Sequence, residues 1–327
     1  MNIYDFDKTI YDGDSTVDFI KYCSARYKKT WITLLPTAWA FILYTLGIYK
    51  KTQFKEKMYR FLEYVPNIDE ALEDFWDKHE SNILDYYKAQ KGESDIIISA
   101  SPEFLLEPIC HRLGIKRLIA SKVDKHTGIY TGENCYGQEK VRRLKEAYAI
   151  EDCDEFYSDS LSDTPLSKIA EKSFIVRRNS LIPWDLYVPG KAETFKHMVL
   201  SREFLVFALV GFICTVFNIG FSALFRLFIP DTMLAFLPGY VTANIASYLL
   251  NSTLTFKARL CISQYIKYFV SYIPNFLIQS VVVFIYSQLF PTGPAILGYA
   301  LSAFIGLPVT FIIMKLFTFR KRKAKKP

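Results

Sequence analysis

Asp5 and Asp7 stand two positions apart in Asp5-Phe6-Asp7-Lys8-Thr9, with the apolar Ile3, Tyr4 and Phe6 around them. Asn2 to Phe6 reads as a short strand, and residues at i and i+2 of a strand leave on the same face. Together Asp5 and Asp7 make a paired-carboxylate site. In parallel α/β sheets ligands collect where strands end and the chain turns toward a helix. Lys8-Thr9 supplies such a turn. The plain alternative is a solvated Asp-rich turn, and residues further along decide between the two.

Asp95-Ile96-Ile97-Ile98-Ser99-Ala100-Ser101-Pro102 reads as a buried parallel strand that ends in small hydroxyl residues, ahead of a helix starting near Glu103. A hydroxyl beside a helix N-terminus can hold a phosphate oxygen. Arg117-Leu118-Ile119-Ala120-Ser121 and a short hairpin around residues 124–128 come next. Gly137-Gln138-Glu139-Lys140 opens another helix. Glu155-Phe156-Tyr157-Ser158 is a strand that runs into Asp159 and Asp163, one helical turn apart. The alternation predicts an α/β doubly wound parallel sheet. Between the first two strands, capping residues at 11–16 lead into Val17, Phe19, Ile20 and Tyr22 at helical spacing. The sets Phe54, Met58, Phe61, Leu62 and Leu72, Phe75, Trp76 continue that spacing, so a helical cap is expected over about residues 15–90.

Residues 30–49 contain no charged side chain, a length near the roughly 20 residues that cross a bilayer. Lys28-Lys29 and Lys50-Lys51 flank the stretch and favour the same, cytoplasmic, surface, which argues against a single crossing. A re-entrant hairpin broken at Pro36, or an amphipathic pair in the membrane interface, is expected; burial inside the cap is the alternative. The second half holds apolar segments at about 204–229, 234–256, 265–290 and 295–319, each long enough to span. Lys257, Arg259 and the basic run 320–326 fall on one side, while the turns at 229–232 and 291–294 carry no Lys or Arg. By the positive-inside rule this predicts an all-α four-helix transmembrane domain, multi-pass in the cell membrane, with both termini cytoplasmic. The expected domains are 1–200 and 201–327.

The net charge is +7, and the run 320–326 alone supplies six positive charges. Its place directly after an apolar segment points to anionic lipid headgroups; nucleic acid is not expected as a partner, since no folded basic surface accompanies the tail. The six cysteines show neither a C-x-x-C pair nor histidines at metal spacing and read as reduced thiols. No basic and apolar leader precedes Asp5, so the first domain is expected to stay in the cytoplasm. A homodimer through the membrane domain stays open.

In this order, Asp5 and Asp7, Ser99, Lys140, and Asp159 with Asp163 resemble the four motifs of the haloacid dehalogenase superfamily of phosphatases. The similarity is to the branch containing phosphoserine phosphatase, with a helical cap between the first and second motifs. Ser99-Ala100-Ser101-Pro102, Leu118-Ile119-Ala120-Ser121, Tyr136-Gly137-Gln138-Glu139-Lys140-Val141, Tyr157-Ser158-Asp159-Ser160 and the apolar cap stretch are similar to the phosphatidylglycerophosphatase C-like members. The resemblance spans roughly residues 1–180. It implies that Asp5 is the nucleophile and forms an aspartyl-phosphate, and that Asp7 is the general acid and base. It further implies that Thr9, Ser99, Ala100 and Lys140 hold phosphoryl oxygens, with Ser101 an alternative to Ser99. Mg²⁺ would be bound by Asp159 with Asp5, the backbone carbonyl of Asp7 and waters, and Asp163 would act from nearby or through water. Lys8 departs from the family pattern, which usually has Gly there.

The second half resembles the GtrA-like family of small membrane proteins that move or handle polyprenyl-linked sugars. The residues that carry this are Phe207-Ala208-Leu209-Val210-Gly211, Asn251-Ser252-Thr253-Leu254-Thr255-Phe256 and Leu316-Phe317-Thr318-Phe319-Arg320. Asn218, Asn244, Asn251, Asn275, Gln279 and Lys315 are expected either to line a headgroup path or to hydrogen-bond between helices. The combined expectation is a phosphomonoesterase of a membrane lipid phosphate, either a polyprenyl-linked sugar phosphate or phosphatidylglycerol phosphate. The alternatives are a membrane-tethered phosphatase of a small metabolite, and a flippase with a secondary phosphatase domain.

Overall fold

Ile3 and Tyr4 are wholly buried, and what surrounds them is a parallel sheet. In the computed structural model, which describes residues 1–229, 232–291 and 293–319, they lie on β1 (Asn2–Tyr4). The helices α1 (Ser15–Arg26), α2 (Leu34–Leu46), α3 (Lys51–Tyr59), α4 (Ile68–His79) and α5 (Asp85–Gln90) follow as the cap. Then come β2 (Ile96–Pro102), α6 (Glu103–Leu113), β3 (Arg117–Ser121), α7 (Gln138–Tyr148), β4 (Cys153–Ser158), α8 (Thr164–Ser167), β5 (Ala170–Arg177) and β6 (Ser180–Pro183). The strand order is β3-β2-β1-β4-β5-β6. All pairings are parallel except that of β5 with β6. β1 therefore lies between β2 and β4, where the strand order reverses and a crevice opens at the carboxyl ends. The sequence gives little warning of β5 and β6. Of β5 only Ile175 and Val176 are buried, and of the edge strand β6 no residue is, so neither shows the apolar run of a central strand.

The cap does not float free of the sheet. Trp76 of α4 is fully buried, and its indole N–H donates to the Leu105 carbonyl of α6 at 2.8 Å. Its ring meets Phe6 and Tyr11, in the loop after β1, edge to face at 6.0 and 5.7 Å. Phe61, Leu62, Leu72 and Phe75, read from the sequence as packing stripes, belong to the same continuous core. One aromatic side chain thus ties the cap to the loop that carries Asp5 and Asp7.

The stretch 30–49 is not broken at Pro36. A 3₁₀ turn (Lys28–Thr33) leads into α2, and Pro36 sits in the first turn of that helix, where its missing N–H would have had no intrahelical partner. The helix closes at Gly47, in the left-handed region at φ +81. The hairpin is instead formed with α3: Tyr44 stacks on Phe54 at 5.5 Å, and the Thr37 hydroxyl donates to the Lys57 carbonyl. Nor is α2 cap core. Leu35 is 83 % and Trp39 62 % exposed, and Trp31, Ile32, Leu34 and Ile48 are also open to solvent.

The chain divides between Val188 and Pro189. Residues 189–200, expected with the first domain, belong to the second unit, because α9 (Lys191–Val199) packs Met198 and Val199 against that unit's aromatic cluster. The unit continues as α10 (Arg202–Arg226), α11 (Thr232–Leu250), α12 (Ile262–Val270), α13 (Tyr272–Leu289) and α14 (Ala295–Ile313). Among the described residues, two helical segments are long and apolar enough to cross a membrane, Arg202–Arg226 and Ile262–Leu289. The other two stretches expected to span form α11 and α14, which carry interior prolines, Pro238 and Pro308. Each runs 19 residues and passes into a five-residue π-helical turn, Asn251–Thr255 or Met314–Thr318. Phe256 and Phe319 follow those turns and stack on one another at 4.3 Å, so two helical hairpins end alike and meet at their ends. The basic run 320–326 and part of both interhelical turns lie outside the described residues.

The cap-to-sheet role of Trp76 gives a direct expectation. Trp76→Ala removes a fully buried indole and leaves the Leu105 carbonyl without its donor, at a cost of about 3–5 kcal/mol. Chemical unfolding of the purified protein in detergent, followed by circular dichroism, measures it.

Candidate active site

β1 ends at Tyr4, and the Asp5 N–H still donates to the Tyr157 carbonyl of β4 at 2.9 Å. Beyond it the chain leaves the sheet. The Phe6 carbonyl accepts from the amides of Thr9, Ile10 and Tyr11, and Lys8 adopts the left-handed conformation at φ +58. That backbone explains why glycine suits this position; a lysine there costs roughly 1–2 kcal/mol. The strand is too short to keep Asp5 and Asp7 on one pleated face, and the two carboxylates bond to different neighbours.

Asp5 faces α7 and the segment after β4. Lys140 of α7 is 2 % exposed, and its ammonium donates to Asp5 Oδ1 at 2.9 Å and to Asp163 Oδ2 at 2.8 Å. Ser158 Oγ, at the end of β4, donates to the same Asp163 oxygen at 2.9 Å. Asp163 Oδ1 is buried with no hydrogen-bond partner. One ammonium therefore serves two carboxylates, with Asp159 close enough to add its charge. Burial, then the charges of Asp163 and Asp159, push Asp5 up to about 8 against the pull of Lys140. For Lys140 burial opposes the charged form, but Asp5 and Asp163 outweigh it and the group is held protonated. Asp159 is raised by burial, partly offset by Lys8 and Arg177. The Arg177 guanidinium donates to the Asp159 carbonyl at 2.6 Å.

Asp7 faces the cap and β2. Its Oδ1 accepts from the Ser15 N–H in the first turn of α1 at 2.7 Å, and its Oδ2 accepts from the Ser101 hydroxyl at 2.5 Å. Thr16 Oγ1 lies 3.0 Å from Ser101 Oγ and extends the network. Burial and then the Asp14 charge raise the Asp7 carboxyl, while Ser101 and Ser15 favour its ionised form. Ser99 is buried, and its hydroxyl accepts from the Ser101 N–H at 3.1 Å. Thr9 is buried with its hydroxyl unpartnered. The Ala100 carbonyl accepts from Ser121 Oγ at 3.0 Å and from Lys55 Nζ at 3.2 Å.

The structure thus gathers Asp5, Lys140, Asp159 and Asp163 on the β4 side of β1, and Asp7, Thr9, Ser99 and Ala100 on the loop and β2 side. Ser158, Ser15, Thr16 and Lys55 join the site without being candidates from the sequence. Ser158 and Ser15 adjoin the motifs in serine-rich turns, and that adjacency is the signal available for them. Lys55 of α3 also donates to Asn134 Oδ1 at 3.0 Å, and burial, then Lys51, lowers its ammonium to about 8. Nothing in a charged cap helix marks which lysine turns inward.

In the second unit, Asn218, Asn244, Asn251 and Asn275 all line one cavity. Lys315 does not; it pairs with Glu203. The side chain of Gln279 lies outside the described residues.

Comparison with known proteins agrees with this division. Residues 206–319 match the model of the GtrA/DPMS transmembrane domain. The chain is 29% identical over 142 residues to a protein of Mycobacterium tuberculosis named "Probable phosphatase", covering 41% of this chain and 49% of that one. It is 29% identical over 97 residues to a histidinol-phosphatase of Neisseria meningitidis, covering 26% of this chain and 44% of that one. The chain spans about half the length of the curated relatives it matches. A phosphoserine phosphohydrolase-like protein from Francisella tularensis superposes with a TM-score of 0.36 at 18% identity, covering 53% of this chain and 85% of that one. Residues 3–168, half of the sequence, match the model of the haloacid dehalogenase-like hydrolases, and the chain belongs to that family.

Proposed function

We propose that the first unit is a Mg²⁺-dependent phosphomonoesterase that works through an aspartyl-phosphate on Asp5. The observation that carries this is the sealed ammonium of Lys140 shared by Asp5 and Asp163 at the end of the central strand. A carboxylate oxygen of Asp5 attacks phosphorus as the bond to the leaving oxygen breaks, and Asp7 gives its proton to that oxygen. The raised Asp7 carboxyl suits the acid role. In the second step Asp7, now ionised and held by Ser101 and Ser15, takes a proton from water. The hydroxide attacks phosphorus, and Asp5 is released with inorganic phosphate. Lys140 offsets charge on the phosphoryl oxygens throughout. Thr9, with its unpartnered hydroxyl, Ser99 and the Ala100 amide are assigned to the same oxygens.

The residues present fit a magnesium ion. The surplus of carboxylate over ammonium charge and the orphaned Asp163 Oδ1 call for a cation, and every available donor is a hard oxygen. Among the described residues no three His, Cys, Asp or Glu side chains form a group that could hold a metal ion. Mg²⁺ keeps several waters and takes only one or two carboxylates from a protein. Asp5 and Asp159 would hold it with the Asp7 carbonyl, and Asp163 from nearby or through water. When bound, the ion draws negative charge from the phosphoryl group and eases attack by an anion.

The substrate we assign is a membrane lipid phosphate, either a polyprenyl-linked sugar phosphate or phosphatidylglycerol phosphate. The exposed apolar face of α2 with Lys28, Lys29, Lys50 and Lys51 at its ends supports this, since such a surface lies in a bilayer interface with its lysines toward anionic headgroups. The second unit is read as a multi-pass domain of four spans with both termini cytoplasmic, handling the lipid once its phosphate is gone. The fused GtrA-like domain favours the sugar lipid over phosphatidylglycerol phosphate.

Purified protein with Mg²⁺ is expected to release phosphate from these lipids in vesicles; activity confined to phosphoserine would sink the lipid assignment. Asp5→Asn abolishes release, and Asp7→Asn lowers kcat by about 10²–10⁴-fold. If Asp5→Asn preserves the protein's cellular role, transport rather than hydrolysis is that role. Leu35→Glu with Trp39→Glu lowers turnover of vesicle lipid by about tenfold or more while turnover of a soluble aryl phosphate holds; equal loss on both would make α2 a structural element of the cap. Lys140→Met leaves Asp5 and Asp163 buried without a counter-charge and costs about 3–5 kcal/mol of unfolding free energy in metal-free buffer.

A further inference from the structure

The β4–β5 ladder ends at the pair Ser158 and Ile175. Beyond it the Asp159 carbonyl accepts from a side chain. Arg177, two residues further along β5, donates to it from Nη1 at 2.6 Å and to the Val176 carbonyl at 3.0 Å. The amide on the other side of the same peptide is held as well. The Ser160 N–H donates to Ser158 Oγ at 3.1 Å, and that hydroxyl donates in turn to Asp163 Oδ2 at 2.9 Å. The Asp159–Ser160 peptide is planar and pinned at both ends, which sets the direction in which the Asp159 side chain leaves the backbone. A carboxylate that must meet a small ion of strict octahedral geometry gains from such a hold, because the ion tolerates little error in the placement of its oxygens. The guanidinium is itself anchored. Its Nη2 donates to the Tyr187 hydroxyl, and its central carbon lies over the Tyr187 ring, 4.8 Å from the centroid. A planar fork of donors makes these contacts at once, which a compact ammonium cannot. Tyr187 is the last residue but one of the first unit, so the segment that leaves the sheet there is tied through one side chain to a carboxylate of the site.

We propose that Arg177 is a positioning residue of the metal site: without touching the ion, it holds the Asp159–Ser160 peptide against Tyr187 and so aims the Asp159 carboxylate at the ion. The proposal rests on the reading that Asp159 binds Mg²⁺. What it adds is a residue outside the four motifs on which affinity for the ion depends.

The test uses the full chain in detergent and follows Mn²⁺, an ion of like oxygen preference, by electron paramagnetic resonance. The site is defined as the Mn²⁺ binding that Asp159→Asn removes. Arg177→Met should weaken that binding by about tenfold or more. Tyr187→Phe, which keeps the ring and loses the hydroxyl, should weaken it by about threefold. Phosphate release by Arg177→Met should need more Mg²⁺ and, once saturated, reach a kcat near that of the unaltered chain, a split that general distortion of the fold would not give. A folded Arg177→Met protein that binds Mn²⁺ unchanged overturns the proposal, whatever its kcat. If Arg177→Met does not fold, Tyr187→Phe decides in its place, and unchanged affinity there overturns the proposal. Mn²⁺ binding that survives Asp159→Asn would remove the metal reading of Asp159 itself, and the proposal with it.

Discussion

Lys140 donates to Asp5 and Asp163 from a position almost closed to water, and the architecture of the first unit can be read as the means of keeping it there. A buried ammonium is tolerated only when paired and hydrogen-bonded. Here two carboxylates meet it, and Ser158 holds one of them from the end of β4. The pairing joins three distant parts of the chain: the end of β1, the start of α7 and the turn after β4. Each sits at a carboxyl end beside the point where the strand order reverses. The charge balance is uneven, two anions and a nearby third against one cation; burial, with the charges of Asp163 and Asp159 added, raises Asp5 against the pull of Lys140.

Asp7 belongs to a second set of bonds with a different chemical character. Its partners are neutral, the Ser101 hydroxyl and the Ser15 amide. They favour the carboxylate modestly where burial and Asp14 oppose it. Two carboxylates two residues apart thus acquire unlike environments because the chain leaves the sheet between them. That separation leaves one beside an ammonium that favours its ionised form and the other among neutral hydrogen-bond donors. Trp76 stabilises this division, since it packs on Phe6 and Tyr11 on either side of the turn.

Much of this was legible in the sequence because strand ends announce themselves. An apolar run that stops at Ser99, at Ser158 or at Asp5 places those residues at the carboxyl edge whatever the details of packing. The order of the runs was enough to expect a doubly wound sheet. What the sequence could not convey was direction. The same-face expectation for Asp5 and Asp7 assumed a strand reaching Phe6, but β1 ends at Tyr4 and Lys8 turns the chain through the left-handed region. Pro36 looked like a break because proline interrupts helices, yet in the first turn of α2 it removes nothing. The inward turn of Lys55 and the half-exposed strands β5 and β6 depend on tertiary neighbours that no local pattern encodes. In the second unit, hydropathy marked the apolar stretches. It could not tell Asn251, whose amide is fully used, from Asn244, whose oxygen is not.

The account stands or falls on the covalent step at Asp5. Borohydride quenching of the enzyme during turnover of a lipid phosphate reduces an aspartyl-phosphate to homoserine, and peptide mass spectrometry locates the change. The account predicts that modification at position 5 and at no other carboxylate, and its absence without substrate. Reduction at Asp7 or another acid, or steady phosphate release with no reducible acyl-phosphate, would contradict it.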